Sequence, residues 1–472
     1  MCLHRQRGSD SVRLRELFSA KDMTRGAPWK RIAEFAVPML LGNIAQQLYN
    51  TVDSIVVGKY VGDNALAAVG SAAPILNLLL ALFVGVATGA GIVISQRYGA
   101  GDRDGLSQAI GNCITLAAIA SLGTMLIGSL IARPLLELLD TPASIIDWCT
   151  DYLIIFFLGA AGFTFYNVLS GVLRGLGDSL SALLFLVIAA ILNTVLDIWF
   201  VAELGMGVAG VSLATVLAQA ISAALCFLKL MRMRSVFDLT LDCLRMRKNS
   251  ALRILKLGVP SGITQGVMAL AMMVVQSLTN SMGEVIIACN VIIMRVDGFA
   301  MMPNMSFGQT MSVYAGQNVG AGRLDRVDKG TKQGLAMAVG FSTAITLILL
   351  LFGHILFNMF TDTAALLDLA VRMMRILAFG YICMAITQVL GGVMRGCGDT
   401  LTPMWVTMLT TIVLRIPTAY GLAYLTRCEE FPNGRPEALF GSLLFSWVMG
   451  ALLSALVFRF GRWRKKAAAG SF

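Results

Sequence analysis

Two stretches of this chain read almost alike. Residues 167–179 are NVLSGVLRGLGDS and residues 388–400 are QVLGGVMRGCGDT. At an offset of 221 residues they share Val168/Val389, Leu169/Leu390, Gly171/Gly392, Val172/Val393, Arg174/Arg395, Gly175/Gly396, Gly177/Gly398 and Asp178/Asp399. The same offset aligns QRYGAG at 96–101 with QNVGAG at 317–322, and an offset of 222 aligns AVP at 36–38 with GVP at 258–260. Chance does not hold one spacing through three places, so the chain is an internal duplication. In a membrane protein such a repeat points to two related halves with a pathway between them.

The chain reads as a membrane protein. Hydrophobic residues make up 57%, charged residues 14%, and mean hydropathy is +0.76; soluble domains carry about 25% charged residues. Twelve segments approach the roughly 20 apolar residues a spanning helix needs: 32–57, 65–95, 106–131, 146–173, 180–202, 208–230, 253–280, 285–314, 331–358, 368–394, 401–425 and 438–460. No period-2 pattern of a barrel is present, and open sheet edges cannot sit in lipid. The expected fold class is therefore an all-α polytopic membrane protein, with 12 transmembrane helices in two pseudo-twofold-related six-helix lobes. An even number of spans per half gives both lobes the same topology and sets their axis along the membrane normal.

Charge sets the direction. The net charge of +10 would suggest nucleic acid in a soluble protein, but here the basic residues gather in one set of loops. With the N-terminus cytoplasmic, the inner segments hold the basic run from Arg5 to Arg31, then Arg97, Arg103, Arg174, the run from Lys229 to Lys256, Arg323 to Lys332, Arg395, and Arg459 to Lys466. The outer loops hold only Lys59, Arg133, Arg427 and Arg435. The positive-inside rule then puts both termini in the cytoplasm and the chain in the cell membrane. The expected organisation is a cytoplasmic tail over 1–28, a first lobe over 29–230, a cytoplasmic linker over 231–252, a second lobe over 253–462 and a tail over 463–472. The tail lacks the apolar core of a signal peptide, and a second Met at Met23 leaves residues 1–22 as either a disordered tail or an upstream start. The nine Cys show no C-x-x-C pair and no metal spacing, so no disulfide framework is expected.

Ionisable residues inside the bilayer are expensive, about 2.5–3.5 kcal/mol each on insertion scales, and call for a function or a partner. Asp53 lies 15 residues beyond Pro38, about 22 Å further along the first helix, hence in the outer half of the membrane. Asp197 near the end of the fifth segment and Thr215 early in the sixth fall at similar depth, with Asn193 one turn deeper than Asp197 on the same face. Two carboxylates together in low dielectric suit a proton carrier, and the same oxygens suit a hard cation such as Na⁺. Asn43, Gln46, Gln47 and Asn50 extend a polar stripe on the first helix, readable as cavity lining or as packing bonds between helices. In the second half Asp53 aligns with the neutral Val275, while Arg295 and Asp297 sit mid-membrane on the eighth segment, two residues apart and so not facing each other. Arg415 and Gln388 are the candidate partners at that depth, in an ion-pair network or a substrate contact.

Other patterns read as packing. Gly85-x-x-x-Gly89, Gly171-x-x-x-Gly175 and Gly392-x-x-x-Gly396 permit close helix approach. The Arg174 to Asp178 and Arg395 to Asp399 turns use glycine for tightness and are no phosphate loops, since no Lys follows and no strand precedes. Met268, Met272, Met273, Met301, Met302, Met305 and Met311 form a cluster that serves either as core filling or as an adaptable binding surface.

Taken together, FAVPMLLGNIAQQLYNTVDSIVVG, ISQRYGAGD, SGVLRGLGDS, RVDGF, GQNVGAG and GGVMRGCGDT resemble the multidrug and toxic compound extrusion (MATE) family over about residues 23–465. The resemblance implies twelve helices in two lobes around a V-shaped cavity, and export of organic cations and drugs driven by inward H⁺ or Na⁺. DinF-type members hold the cation with an Asp on helix 1, Asn-x-x-x-Asp on helix 5 and a Thr on helix 6, which Asp53, Asn193, Asp197 and Thr215 match one by one. NorM-type members carry acids on helices 7 and 10, where this chain has the uncharged Gln265 and Ala385. The expected function is a cation-coupled antiporter working by alternating access, as a single chain in the lipid bilayer. Its expected substrates are small amphipathic organic cations. No cofactor, no resident metal beyond a transported Na⁺ and no nucleic acid are expected. A lipid-linked precursor flippase is the alternative within transport, but it would favour a cationic cavity for pyrophosphate. An intramembrane enzyme would need a nucleophile and base or a metal cluster, and the sequence offers only His4 and His354.

Overall fold

The computed structural model describes residues 19–139, 141–360, 363–429 and 431–468. Of the expected tails over 1–28 and 463–472, residues 1–18 and 469–472 lie outside the described residues. Every one of the twelve apolar segments is helical: α1 Pro28–Val56, α2 Asp63–Ala100, α3 Arg103–Leu138, α4 in two parts (Ile146–Leu158 and Ala160–Gly175), α5 Ser179–Glu203, α6 Gly207–Met231, α7 Lys248–Ser281, α8 Glu284–Gly320, α9 Leu324–Asn358, α10 Ala364–Gly396, α11 Leu401–Leu425 and α12 Glu437–Phe460. A short α13, Trp463–Ala468, follows. No strand occurs among the described residues. Ten of the helices are individually long and apolar enough to cross a membrane, and the two parts of α4, bent by 53° at Gly159, make an eleventh. Helix α1 is 29 residues, about 43 Å, and long enough to cross; Lys30, Arg31, Glu34 and its polar stripe lower its apolarity.

The chain forms two compact units. Among the described residues, the first takes 19–22 and Val37–Val259, and the second takes Met23–Ala36 and the residues from Pro260 onward. The sequence reading put the division in the 231–252 linker, whereas the units divide inside α1 and α7, next to Pro38 and Pro260. A proline inside a helix removes one backbone hydrogen bond and permits a bend there.

The repeat is visible in the packing of each unit. In the first, Gly171 and Gly175 of α4 press on α2, where a Cβ would lie 2.7 Å from the carbonyl oxygens of Ala87 and Gly91 respectively. In the second, Gly392 and Gly396 of α10 press on the carbonyls of Gly308 and Ser312 of α8. All four contacts keep the 221-residue offset, so the glycines that looked like packing signals are close helix approaches in both halves. The turns after α4 and α10 repeat as well: Gly177 and Gly398 have φ of 86° and 88°, which only glycine adopts freely. Asp178 caps α5 by accepting from the Ser181 N–H at 2.9 Å, and Asp399 accepts from the Thr402 hydroxyl at 2.8 Å. Each buried Asp also meets a lysine, Lys229 at 3.6 Å and Lys466 at 2.9 Å.

The linker docks along α3. Ser107, Asn112 and Thr115 bind the Asp238 N–H at 3.0 Å, the Arg247 N–H at 2.9 Å and the Leu244 carbonyl at 2.7 Å. Arg103 grips Asp238 through two bonds of 2.8 and 3.0 Å and holds that carboxyl below its usual range. In the second unit, residues before α1 are fastened just as firmly. The Met23 N–H donates to Gln317 Oε1 at 2.9 Å, Arg323 to the Thr24 carbonyl at 2.9 Å, and Arg326 to the Gly26 carbonyl at 3.0 Å.

Candidate functional site

Helices α1, α5 and α6 bring Asp53, Asn193, Asp197 and Thr215 together inside the first unit. Asn193 and Asp197 are one turn apart on α5, both fully buried. Asn193 Nδ2 donates to Thr215 Oγ1 at 3.3 Å, which ties α5 to α6. The Asp53 and Asp197 carboxyl groups are neighbours, with no hydrogen bond between them. Two ionised carboxylates only accept, so a bond between them requires a proton.

Three residues not singled out in the sequence complete the cluster. Tyr49 precedes Asp53 by one turn and Gln219 follows Thr215 by one turn, so each shares a helix face with a chosen residue. The Tyr49 hydroxyl lies beside Thr215 and Gln219, and Tyr152 of α4 faces the two acids. Tyr49, Tyr152 and Gln219 are buried. The i±4 spacing was the available signal for two of them.

Acceptors outnumber donors here. Asp53 Oδ1, Asn193 Oδ1, both Asp197 oxygens and Gln219 Oε1 are buried without a hydrogen bond, and the Tyr49 hydroxyl makes none of normal geometry. Buried oxygens left this way are costly. A proton or a hard, oxygen-seeking cation would satisfy them.

The rest of the polar stripe on α1 does not build this cluster in the same way. Asn50 is exposed and accepts from Gln46 on its own helix at 3.3 Å, and the Gln47 carbonyl takes the Thr51 hydroxyl at 2.9 Å. Asn43 and Gln47 are half-buried, and they lie ten and six residues before Asp53 on α1. In the second unit Val275 is buried at the position matching Asp53. Arg295 is exposed and has no partner among the described residues. Gln388 lies against Gly308, where its side-chain oxygen would be 3.3 Å from an added Cβ. Asp297 has Arg415 and Tyr381 as its neighbours.

Comparison with known proteins agrees with the repeat. The MatE family model matches twice, over residues 38–199 and 260–421. This chain belongs to the MatE family. Each matched copy opens at a proline, Pro38 or Pro260, within two residues of a division between the compact units. Among MatE-type relatives, the chain is 30% identical to "Probable multidrug resistance protein YpnP" of Bacillus subtilis, over 94% of this chain and 98% of that one. It is 24% identical to "Probable multidrug resistance protein NorM" of Thermotoga maritima, over 93% and 94%. Its fold matches the outward-facing structure of a multidrug resistance MATE family transporter of the MOP superfamily, with a TM-score of 0.87 at 24% identity, covering 95% of this chain and 99% of that one.

Proposed function

We propose that this MatE-family chain exports small amphipathic organic cations and drugs across the cell membrane, driven by inward H⁺ or Na⁺. The reading rests on the buried acceptor-rich cluster of Asp53, Asn193, Asp197 and Thr215. In it, one positive charge at a time relieves the carboxyl pair. The names of the relatives, multidrug resistance proteins, support drugs as the cargo. The exchange works by alternating access: the ion occupies the cluster from outside, leaves it inside, and its departure resets the site for the next cycle. A single chain, with both termini in the cytoplasm, carries the whole cycle.

The test is ethidium efflux from proteoliposomes with pH and Na⁺ gradients imposed separately. One of the two gradients is expected to drive uphill efflux in the wild type and to fail in Asp53→Asn and Asp197→Asn. Uphill efflux near wild type in both variants would make the cluster structural.

A further inference from the structure

The second unit contains a cavity of about 490 Å³, within the usual range for small-molecule sites. It lies among α7, α8, α10, α11 and α12, so its walls come from one unit alone. Asp297 of α8 and Arg415 of α11 both line it. Their arrangement is unusual. Asp297 Oδ1 and Arg415 Nε are buried and make no hydrogen bond. The two side chains feel each other's charge yet form no ion pair among the described residues. The uncharged polar groups of the wall differ in this respect: Gln276 donates to Asn280 at 2.8 Å and accepts from Asn290 at 3.3 Å.

Local structure explains the position of Arg415. It ends a π-helical stretch, Leu409–Arg415, and Pro417 stands two residues later. Proline has no N–H to continue the ladder, and a π-turn adds a residue that re-aims the side chains next to it. Such turns recur at functional sites.

We propose that this cavity binds a zwitterionic, amphipathic small molecule, its ammonium group on Asp297 and its carboxylate on Arg415. One acid and one guanidinium leave the cavity neutral. A simple cation would meet Arg415, and a simple anion would meet Asp297, each with unfavourable sign. A ligand carrying both charges satisfies both unpartnered atoms at once. Its apolar body would lie on Met273 and Phe440, which also line the cavity. The assignment is independent of the coupling cluster, since Asp53 and Asp197 belong to the other unit.

Three probes with one fluorophore test it on the full chain in lipid nanodiscs, with empty nanodiscs as background. Nε-Dansyl-lysine carries both charges, dansylcadaverine only the ammonium and N-dansyl-6-aminohexanoate only the carboxylate. Dansyl-lysine is expected to bind at least ~10-fold more tightly than either, because a site with unpaired polar groups rejects ligands lacking the complement. Arg415→Gln should erase the advantage over dansylcadaverine, and Asp297→Asn the advantage over the carboxylate probe. The double variant Asp53→Asn with Asp197→Asn should keep the full preference. Equal affinity for the three probes in the wild type, or an unchanged preference in both single variants, would overturn the proposal. The wild-type comparison needs no substitution, so a variant that fails to fold does not protect the idea.

Discussion

Replacing Asp197 by Asn should make the protein more stable and less useful. Asp197 is fully buried, and neither of its oxygens receives a hydrogen bond. Around it, Asp53 Oδ1, Asn193 Oδ1 and Gln219 Oε1 also lack donors. An asparagine of the same shape brings two N–H donors into this set of acceptors and removes one half of the carboxyl pair. Each newly made buried bond contributes about 1 kcal/mol net, so the gain is about 2 kcal/mol. For a unit of this size that corresponds to an upward shift of roughly 4–8 °C in the thermal midpoint. The assay is thermal unfolding in nanodiscs, run beside gradient-driven ethidium efflux on the same preparation. Higher stability with lost coupling is the signature of a site held in an unfavourable state for its function. A midpoint lowered by several degrees would show that the acid is a packing element, and the donor-deficit argument would fail. Asp53→Asn should behave alike, and the double variant should be little worse in efflux than either one, because the two act as a unit.

Four further outcomes can be checked. Gly175→Ala places a Cβ 2.7 Å from the Gly91 carbonyl oxygen and 3.0 Å from Ile94 Cβ, so overpacking should cost about 1–3 kcal/mol and lower the thermal midpoint. Asn112→Ala leaves the Arg247 N–H unbonded, and hydrogen exchange over 238–247 should quicken by about 10-fold, the loss of roughly one bond. Asp399→Asn weakens the contacts to Lys466 and Thr402, so membrane yield should fall while coupling per folded molecule stays near wild type. The proposed orientation puts the linker inside and the 427–436 loop outside, so an impermeant thiol reagent added externally should label Asn433→Cys and spare Asn249→Cys; the reverse would overturn it.

The helices and their pairing were legible because two independent signals agreed. Apolar length marked the twelve segments, and the 221-residue offset named the glycines that meet α2 and α8. Asp53, Asn193, Asp197 and Thr215 were legible as residues at one depth, which helix rise alone can give. Tyr49 and Gln219 were missed, although each sits one turn from a chosen residue, because neither is costly enough in a membrane to attract notice. Arg415 and Asp297 were named as possible partners, but Arg415 ends a π-turn that no periodicity announces. The linker's attachment was invisible for a different reason. Its bonds run largely to backbone groups of 238, 244 and 247, and backbone groups carry no signature in sequence.

The division of the compact units inside α1 and α7 has a bearing on how a duplicated chain arises. Residues 23–36 belong with the second half, and residues 248–259 at the start of α7 belong with the first. Each half therefore lends its opening turns to the other. Two separate half-length chains with the same habit would each seat their first turns on the second copy, as domain-swapped dimers do. Fusing them through a linker would change no contact and would only tie the exchange into one polypeptide. A break cut into the 231–252 segment should then yield two fragments that hold together when made in the same cell, each incomplete without the other.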